Sequence, residues 1–236
     1  MRRHPEPHGQ GLGTTGNGGA DHGLGNRWNT RGGIVVTVYL IRHGEITQFS
    51  PRRFVGRTDL PLTDRGRAQM DAVAFFLADR GVARLLCSPL SRCVESATII
   101  GQALGLAPQA VPDLREISLG AWEGLTVDEV RGRFPGSYEA RGLDLAGFRP
   151  ASGESFTDVQ GRAWAAFKAI LEEESTDVAI VAHGGVNRVL LCRILGMPLE
   201  NLFRIGQDYA CVNVLRPASE ALCVVTMNFS PSEPAA

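Results

Sequence analysis

The sequence of 236 residues predicts an α/β fold, and three observations carry that prediction. The run from Ile34 to Glu45, IVVTVYLIRHGE, is apolar and β-branched and then stops at Arg42, His43 and Gly44, as a strand buried on both faces does at the edge of a sheet. Helix and strand patterns alternate downstream of it, the grammar of parallel βαβ units. The run Asp177 to Ala182 then repeats the opening pattern and ends in His183, Gly184 and Gly185. In open α/β sheets ligands bind outside the carboxyl ends of the strands, so both strand ends are candidates for such a crevice.

Residues 1–33 are rich in Gly, Arg, His, Asn and Pro and too poor in large apolar residues to offset their ordering entropy, which predicts a disordered tail. His4, His8 and His22 lie in that tail without a regular metal-ligand setting and read as solvated. One domain is expected over 34–229, with 230–236 as a short C-terminal tail. After the first strand, Ile46 to Leu62 is a polar loop bearing Arg52, Arg53, Gly56 and Arg57, cationic enough to fold over an anionic substrate. Of these arginines Arg57 is the best candidate to touch it, the others being solvated.

LTDRGRAQMDAVAFFLADRG predicts a helix with Thr63 as N-cap, Asp64 in the first turn and Gly81 as terminator. A strand over Ala83 to Cys87 follows, and then an amphipathic helix that begins with Ser88, Pro89 and Leu90 and runs to about Leu104. Arg92 falls in its first turn, where the helix dipole favours anions, so this arginine needs a partner. From Gln109 a short strand leads into DLREISLGAWEGLT, which offers two carboxylates, Glu116 and Glu123. Val127 to Pro150, interrupted by Pro135 and Gly136, predicts a short helix plus a lid. SGESFTDVQGRAWAAFKAILEEE predicts a long helix capped by Ser152 or Ser155, with Phe156, Val159, Ala163, Phe167 and Ile170 on its buried face. A helix follows His183, and Cys211 to Arg216 and Leu222 to Met227 close the fold as strands joined by a turn over 217–220.

A net charge of -1 with 44% hydrophobic residues provides no global reason to expect nucleic acid, a membrane surface or a polyanionic partner. The five cysteines are scattered, with no Cys-x-x-Cys pair, which speaks against a zinc knuckle or disulfide framework and for a reducing cytoplasm. No run approaches the roughly 20 apolar residues that span a bilayer. Trp122, Trp164 and Tyr209 read as packing residues.

Strand ends and loops together offer Arg42, His43, Arg92, Glu116 and His183. Guanidinium forks match phosphate oxygens, a neutral imidazole can attack phosphorus, and a carboxylic acid can protonate the leaving alkoxide. Backbone amides at the helix start beside Gly184 form a further anion site. These groups suit phosphoryl transfer to and from a small phosphoester without a metal or another cofactor.

The segments LIRHGE, GRTDLPLTDRG, SPLSRCVESA, LREISLGAWEG and VAHGG, in that order over Val36 to Met227, resemble the successive motifs of the histidine phosphatase superfamily, the phosphoglycerate mutase-like family. The resemblance implies a three-layer α/β/α sandwich around a mostly parallel sheet. It implies His43 as the phosphorylated nucleophile, Arg42, Arg92 and His183 as the rest of the phosphate pocket, and Glu116 as proton donor, with Glu123 its rival. Thr47, Gly56, Arg57 and Gly184 are the further expected contacts to phosphate or substrate. GAWEG and the short span to the SGES segment resemble the phosphatase branch, and the C-terminal part is similar to α-ribazole phosphatases and broad-specificity phosphatases. The expectation is a metal-independent phosphomonoester hydrolase working through a phosphohistidine on a small metabolite, α-ribazole phosphate included, with a homodimer as one assembly. A phosphoglycerate mutase and a catalytically silent phosphate-binding module are the alternatives. Ile46 and Phe49 depart from the family pattern, where many members have threonine and asparagine, and Thr47 or Gln48 stands in as the nearest polar group.

Overall fold

The computed structural model describes residues 36–218 and 221–232. The expectations for the 1–33 tail and for Ile34 and Val35 lie outside these residues. Six strands form one sheet: β1 (Val38–Arg42), β2 (Val82–Cys87), β3 (Gln109–Ala110), β4 (Asp177–Ala182), β5 (Val212–Ala218) and β6 (Ala221–Phe229). Their order is β3-β2-β4-β1-β5-β6. β3, β2, β4 and β1 pair in parallel, whereas β5 joins β1 and β6 joins β5 antiparallel. The sheet is therefore mixed, with the two histidine-ending strands adjacent at its centre.

Helices cover both faces, and the alternation of side chains along β1 assigns them. Val38 and Leu40 pack into a core with α5 (Phe156–Glu173) and α6 (Gly184–Leu195). Tyr39 and Ile41 face the other core, built with α1 (Asp64–Leu77) and α2 (Ser91–Leu104). A strand buried on both faces has to be apolar throughout, which is why β1 reads as an unbroken hydrophobic run. The five apolar positions read from the α5 sequence are the buried face of that helix.

Caps set the ends of these helices. The Thr63 hydroxyl accepts from the Gly66 amide at 3.0 Å to start α1, and Gly81 takes φ +68° in the turn that follows. Ser155, rather than Ser152, caps α5, in a reciprocal box with Asp158. α2 has no cap of its own; Asp59, from the loop ahead of α1, accepts from the Ser91 amide at 3.0 Å and from its hydroxyl at 2.6 Å. The segment expected to hold one short helix and a lid holds two short helices, α3 (Val127–Arg133) and α4 (Ser137–Leu143). Pro135 and Gly136 separate them.

Among the described residues no helix is long and apolar enough to cross a membrane.

Candidate active site

Register brings the two histidines together. Arg42 of β1 lies opposite Ala182 of β4, and the next residue, His43, donates its amide to the Ala182 carbonyl at 3.1 Å. His43 and His183 thus leave adjacent parallel strands at the same level, with ring centroids 5.3 Å apart. Gly44 lets the chain leave the strand directly under α1: a Cβ there would stand 2.3 Å from the Gly66 carbonyl oxygen.

His43 is 3% exposed, and its Nδ1 lies 2.8 Å from the Gly44 carbonyl oxygen. A carbonyl only accepts, so Nδ1 is the donor and the neutral ring carries its lone pair on Nε2. Burial, and then the charges of Arg42 and Arg92, push the His43 pKa well below its ordinary value, against a smaller opposing pull from the Gly44 hydrogen bond. His183 is fully buried, with Nε2 2.7 Å from the Ser88 hydroxyl and 3.4 Å from the Cys93 sulfur. Its pKa is also driven well down, by burial first and then by Arg92, His43 and Arg42. Both imidazoles are therefore neutral near pH 7.

Two guanidiniums are aimed at the same place. Arg92 is 1% exposed and donates Nη1 to the Thr58 carbonyl at 2.9 Å and Nη2 to the Gly56 carbonyl at 2.7 Å. Arg42 donates Nη1 to the Gln207 carbonyl at 2.5 Å and lies 3.9 Å from the centre of the Tyr209 ring. Among the described residues the only buried side-chain nitrogen or oxygen atoms without a hydrogen-bond partner are Nε of Arg42, Nε of Arg92 and Oδ1 of Asn187. A buried N–H left unpaired is costly, so the two Nε donors await an acceptor.

Of the two candidate carboxylates, the tertiary structure places Glu116 in the site. It lines a cavity of about 470 Å³ together with Arg42, His43, Arg92 and Thr47. Its Oε2 accepts from the Gly185 amide at the start of α6, at 3.0 Å, and its Oε1 from the Ile117 amide at 2.9 Å. Glu123 instead braces the loop, accepting from the amides of Gly56, Arg57, Thr58 and Leu119 and from the Thr58 hydroxyl. Burial by itself would raise the Glu123 pKa, but these hydrogen bonds outweigh it and hold the carboxyl below its usual range.

Other expected contacts fall elsewhere. Arg57 is not in the cavity wall: it pairs with Glu154 at 3.0 Å and donates Nε to the Glu116 carbonyl at 3.2 Å. Arg162 donates to that carbonyl as well, at 3.1 Å, so Arg57 helps hold the backbone that carries Glu116, with its charge offset by Glu154. Gly56 acts through its carbonyl on Arg92 and its amide on Glu123. Gly184 lies against Arg42, where a Cβ would stand 3.4 Å from Arg42 Nε. His183 is packed behind His43 and does not itself form the cavity wall.

The structure also reveals residues that the sequence reading passed over. Tyr209 is more than packing: it stacks on Arg42, lies 5.6 Å from the His43 ring and is held through its hydroxyl by Gln48 at 2.9 Å. Arg52 and Arg53, read as solvated, line the cavity, as does Arg141. At the two positions that depart from the family pattern, Ile46 is buried and bridges to Leu62, while Phe49 forms part of the wall. Gly185 has its own signal in the second of two consecutive glycines: a Cβ there would come within 2.3 Å of Glu116 Oε1. Gly185→Ala is expected to push the Glu116 side chain aside, because a carboxylate end yields more readily than the helix. With Glu116 as the proton donor that the family resemblance implies, turnover of alkyl phosphates should fall by about 10- to 100-fold with the melting temperature little changed, and turnover of an ester with a good leaving group should fall less. Equal losses for both esters would remove Glu116 from the acid role.

The fold and the site define an α/β protein with a cationic pocket where its central parallel strands end, lined by neutral His43, partly buried Arg42 and buried Arg92, with neutral His183 behind His43. The chain belongs to the histidine phosphatase superfamily (branch 1), whose family model matches residues 38–230. It is 33% identical over 189 residues to the bifunctional protein Rv2228c of Mycobacterium tuberculosis, covering 79% of this chain and 52% of that one, so the chain spans about half the length of that relative. It is 33% identical over 165 residues to the "Probable phosphoglycerate mutase GpmB" of Yersinia pestis, covering 70% of this chain and 77% of the relative. Among solved structures, the α-ribazole phosphatase from Shigella flexneri superposes with a TM-score of 0.77 at 25% identity, covering 85% of this chain and all of that one (100%). The mycobacterial glucosyl-3-phosphoglycerate phosphatase Rv2419c with VO3 superposes at 0.72 and 29% identity, covering 82% and 98%.

Proposed function

We propose that this protein hydrolyses phosphomonoesters through a phosphohistidine formed on His43. The observation that supports this reading best is the pair of unpartnered, buried Nε donors of Arg42 and Arg92, on the two guanidiniums whose charges lower the His43 pKa. An anion with several acceptor oxygens satisfies both donors at once. In the first step His43 Nε2 forms a bond to phosphorus, the ester P–O bond breaks, and the leaving alkoxide takes a proton from Glu116. In the second step a water oxygen attacks phosphorus, its proton passes to the Glu116 carboxylate, and the N–P bond breaks to release inorganic phosphate. Arg42 and Arg92 hold the equatorial oxygens throughout and supply the charge stabilisation, so turnover should persist in EDTA. Within this class α-ribazole phosphate is one candidate substrate, in keeping with the similarity to the Shigella enzyme.

The test is turnover of 4-nitrophenyl phosphate in EDTA combined with a quench in alkaline detergent. Acid-labile, alkali-stable phosphate on His43 is the expected result, and turnover with no such adduct would overturn the proposal. The similarity to GpmB supports a second reading, a mutase, that differs only in where the phosphoryl group goes. There the adduct would return its phosphoryl group to an added alcohol acceptor faster than to water.

The lowered pKa values also set a pH dependence. A histidine depressed in the folded state stays neutral below its ordinary pKa of 6.5, so the acid limb of kcat/KM should lie well below pH 6.5. Stability follows the same sign: the unfolded chain takes up protons at His43 and His183 as pH falls through 6.5, whereas the folded state does not. The stabilisation is thus complete above pH 6.5 and is lost progressively towards the folded-state pKa values. An acid limb centred at 6.5 would contradict the buried, neutral nucleophile.

A further inference from the structure

Five arginines and one glutamate stand in the cavity wall: Arg42, Arg52, Arg53, Arg92, Arg141 and Glu116. Arg53 is offset by Glu129 at 3.0 Å, and a phosphate dianion would offset Arg42 and Arg92. Arg52 and Arg141 remain. Arg52 is exposed and served by water, but Arg141 is partly buried on α4, an element that contributes no residue to the phosphate pocket. Among the described residues the Arg141 side chain makes no ion pair or hydrogen bond; its contact is the Phe203 ring, 5.7 Å away. Burial pushes its pKa down from the ordinary value, the sign of a cation that has lost water without gaining a counter-ion. The same ring has a second guanidinium beside it, Arg188 at 5.5 Å, whose hydrogen bonds go to the carbonyls of Ile205 and Gly184 and to no carboxylate. The ring thus lies within reach of two guanidiniums and supplies neither with a negative charge.

We infer that the ester this cavity prefers carries a second anionic group, besides the scissile phosphate, and that Arg141 binds it over the Phe203 ring. This rests on the phosphomonoesterase reading and adds the substrate class to it. The aromatic wall of Phe49, Phe54, Tyr138 and Tyr209 would pack the part of the substrate between the two anions. α-Ribazole phosphate, whose only anion is its phosphate, would then be a poorer substrate than a carboxylated or doubly phosphorylated ester.

The test compares kcat/KM for phenyl phosphate, 4-carboxyphenyl phosphate, 4′-carboxybiphenyl-4-yl phosphate and hydroquinone bisphosphate. The best doubly anionic ester should exceed phenyl phosphate by about tenfold in the native protein, the size of one charge-assisted hydrogen bond. That ratio should fall to about one in Arg141→Gln and be partly kept in Arg141→Lys. A carboxylate arm that wins alone, or a bisphosphate arm that wins alone, identifies the second anion and supports the inference. A ratio at or below one for every ester in the native protein overturns it without any variant, as does a ratio retained in Arg141→Gln. Absence of turnover for phenyl phosphate and all the others would instead overturn the underlying phosphatase reading.

Discussion

Replacing His43 with alanine is expected to lower turnover of an aryl phosphate by on the order of 10⁴- to 10⁶-fold, the scale seen when a covalent nucleophile is removed. The expectation rests on geometry: Nδ1 is committed to the Gly44 carbonyl, so Nε2 is the single lone pair that the ring presents to the cavity. The His43 ring also packs against His183 and Tyr209, so its removal leaves a small hole. Melting temperature has to be measured alongside, and a loss of a few degrees is compatible with an intact pocket. Added imidazole, entering that hole, should restore part of the turnover in the variant. Activity within tenfold of the native protein would exclude His43 as nucleophile.

The second large effect is expected at Arg92. Arg92→Ala should lower kcat/KM by about 10²- to 10³-fold, comparable to removing one preorganised donor from a developing oxyanion. Its guanidinium does two jobs at once. It ties the carbonyls of Gly56 and Thr58 to the first turn of α2, and it holds a further donor, Nε, without a partner. Arg92→Lys should recover little, since one ammonium cannot span two carbonyls and still present a planar donor. The discriminating measurement is competitive inhibition by inorganic phosphate. If Arg92 contacts the anion, the inhibition constant rises with KM; if it only ties the loop, phosphate binding survives while kcat falls.

Much of the scaffold could be read directly from local patterns. The cap at Thr63, the break at Pro135-Gly136 and the buried face of α5 each depend on residues a few positions apart, where steric and hydrogen-bonding rules are local. The two histidines were legible for the same reason, as each ends an apolar strand. Arg92 was legible as a misfit, a cation at the wrong end of a helix, although its partners proved to be carbonyls of a loop more than thirty residues earlier.

The choice between Glu116 and Glu123 was not legible, because both sit in one flexible, glycine-containing segment and differ only in distant partners. Glu123 meets the amides of residues 56–58, whereas Glu116 meets the α6 N-terminus. The partners of Arg57 were hidden for a related reason. Its place in a glycine-bearing loop does not reveal that Glu154 and the Glu116 carbonyl, 97 and 59 residues along, take two of its donors.

By itself, then, the sequence determined that this protein is an α/β domain whose central strands deliver Arg42, His43 and His183 to one edge of a sheet, because hydrophobic period and strand termination are short-range properties. Only the tertiary structure decided which carboxylate joins them, which arginines keep a free donor and which are consumed by their own fold. Those outcomes depend on contacts between residues tens of positions apart, and a guanidinium or carboxylate is free for chemistry only when the rest of the chain leaves it so.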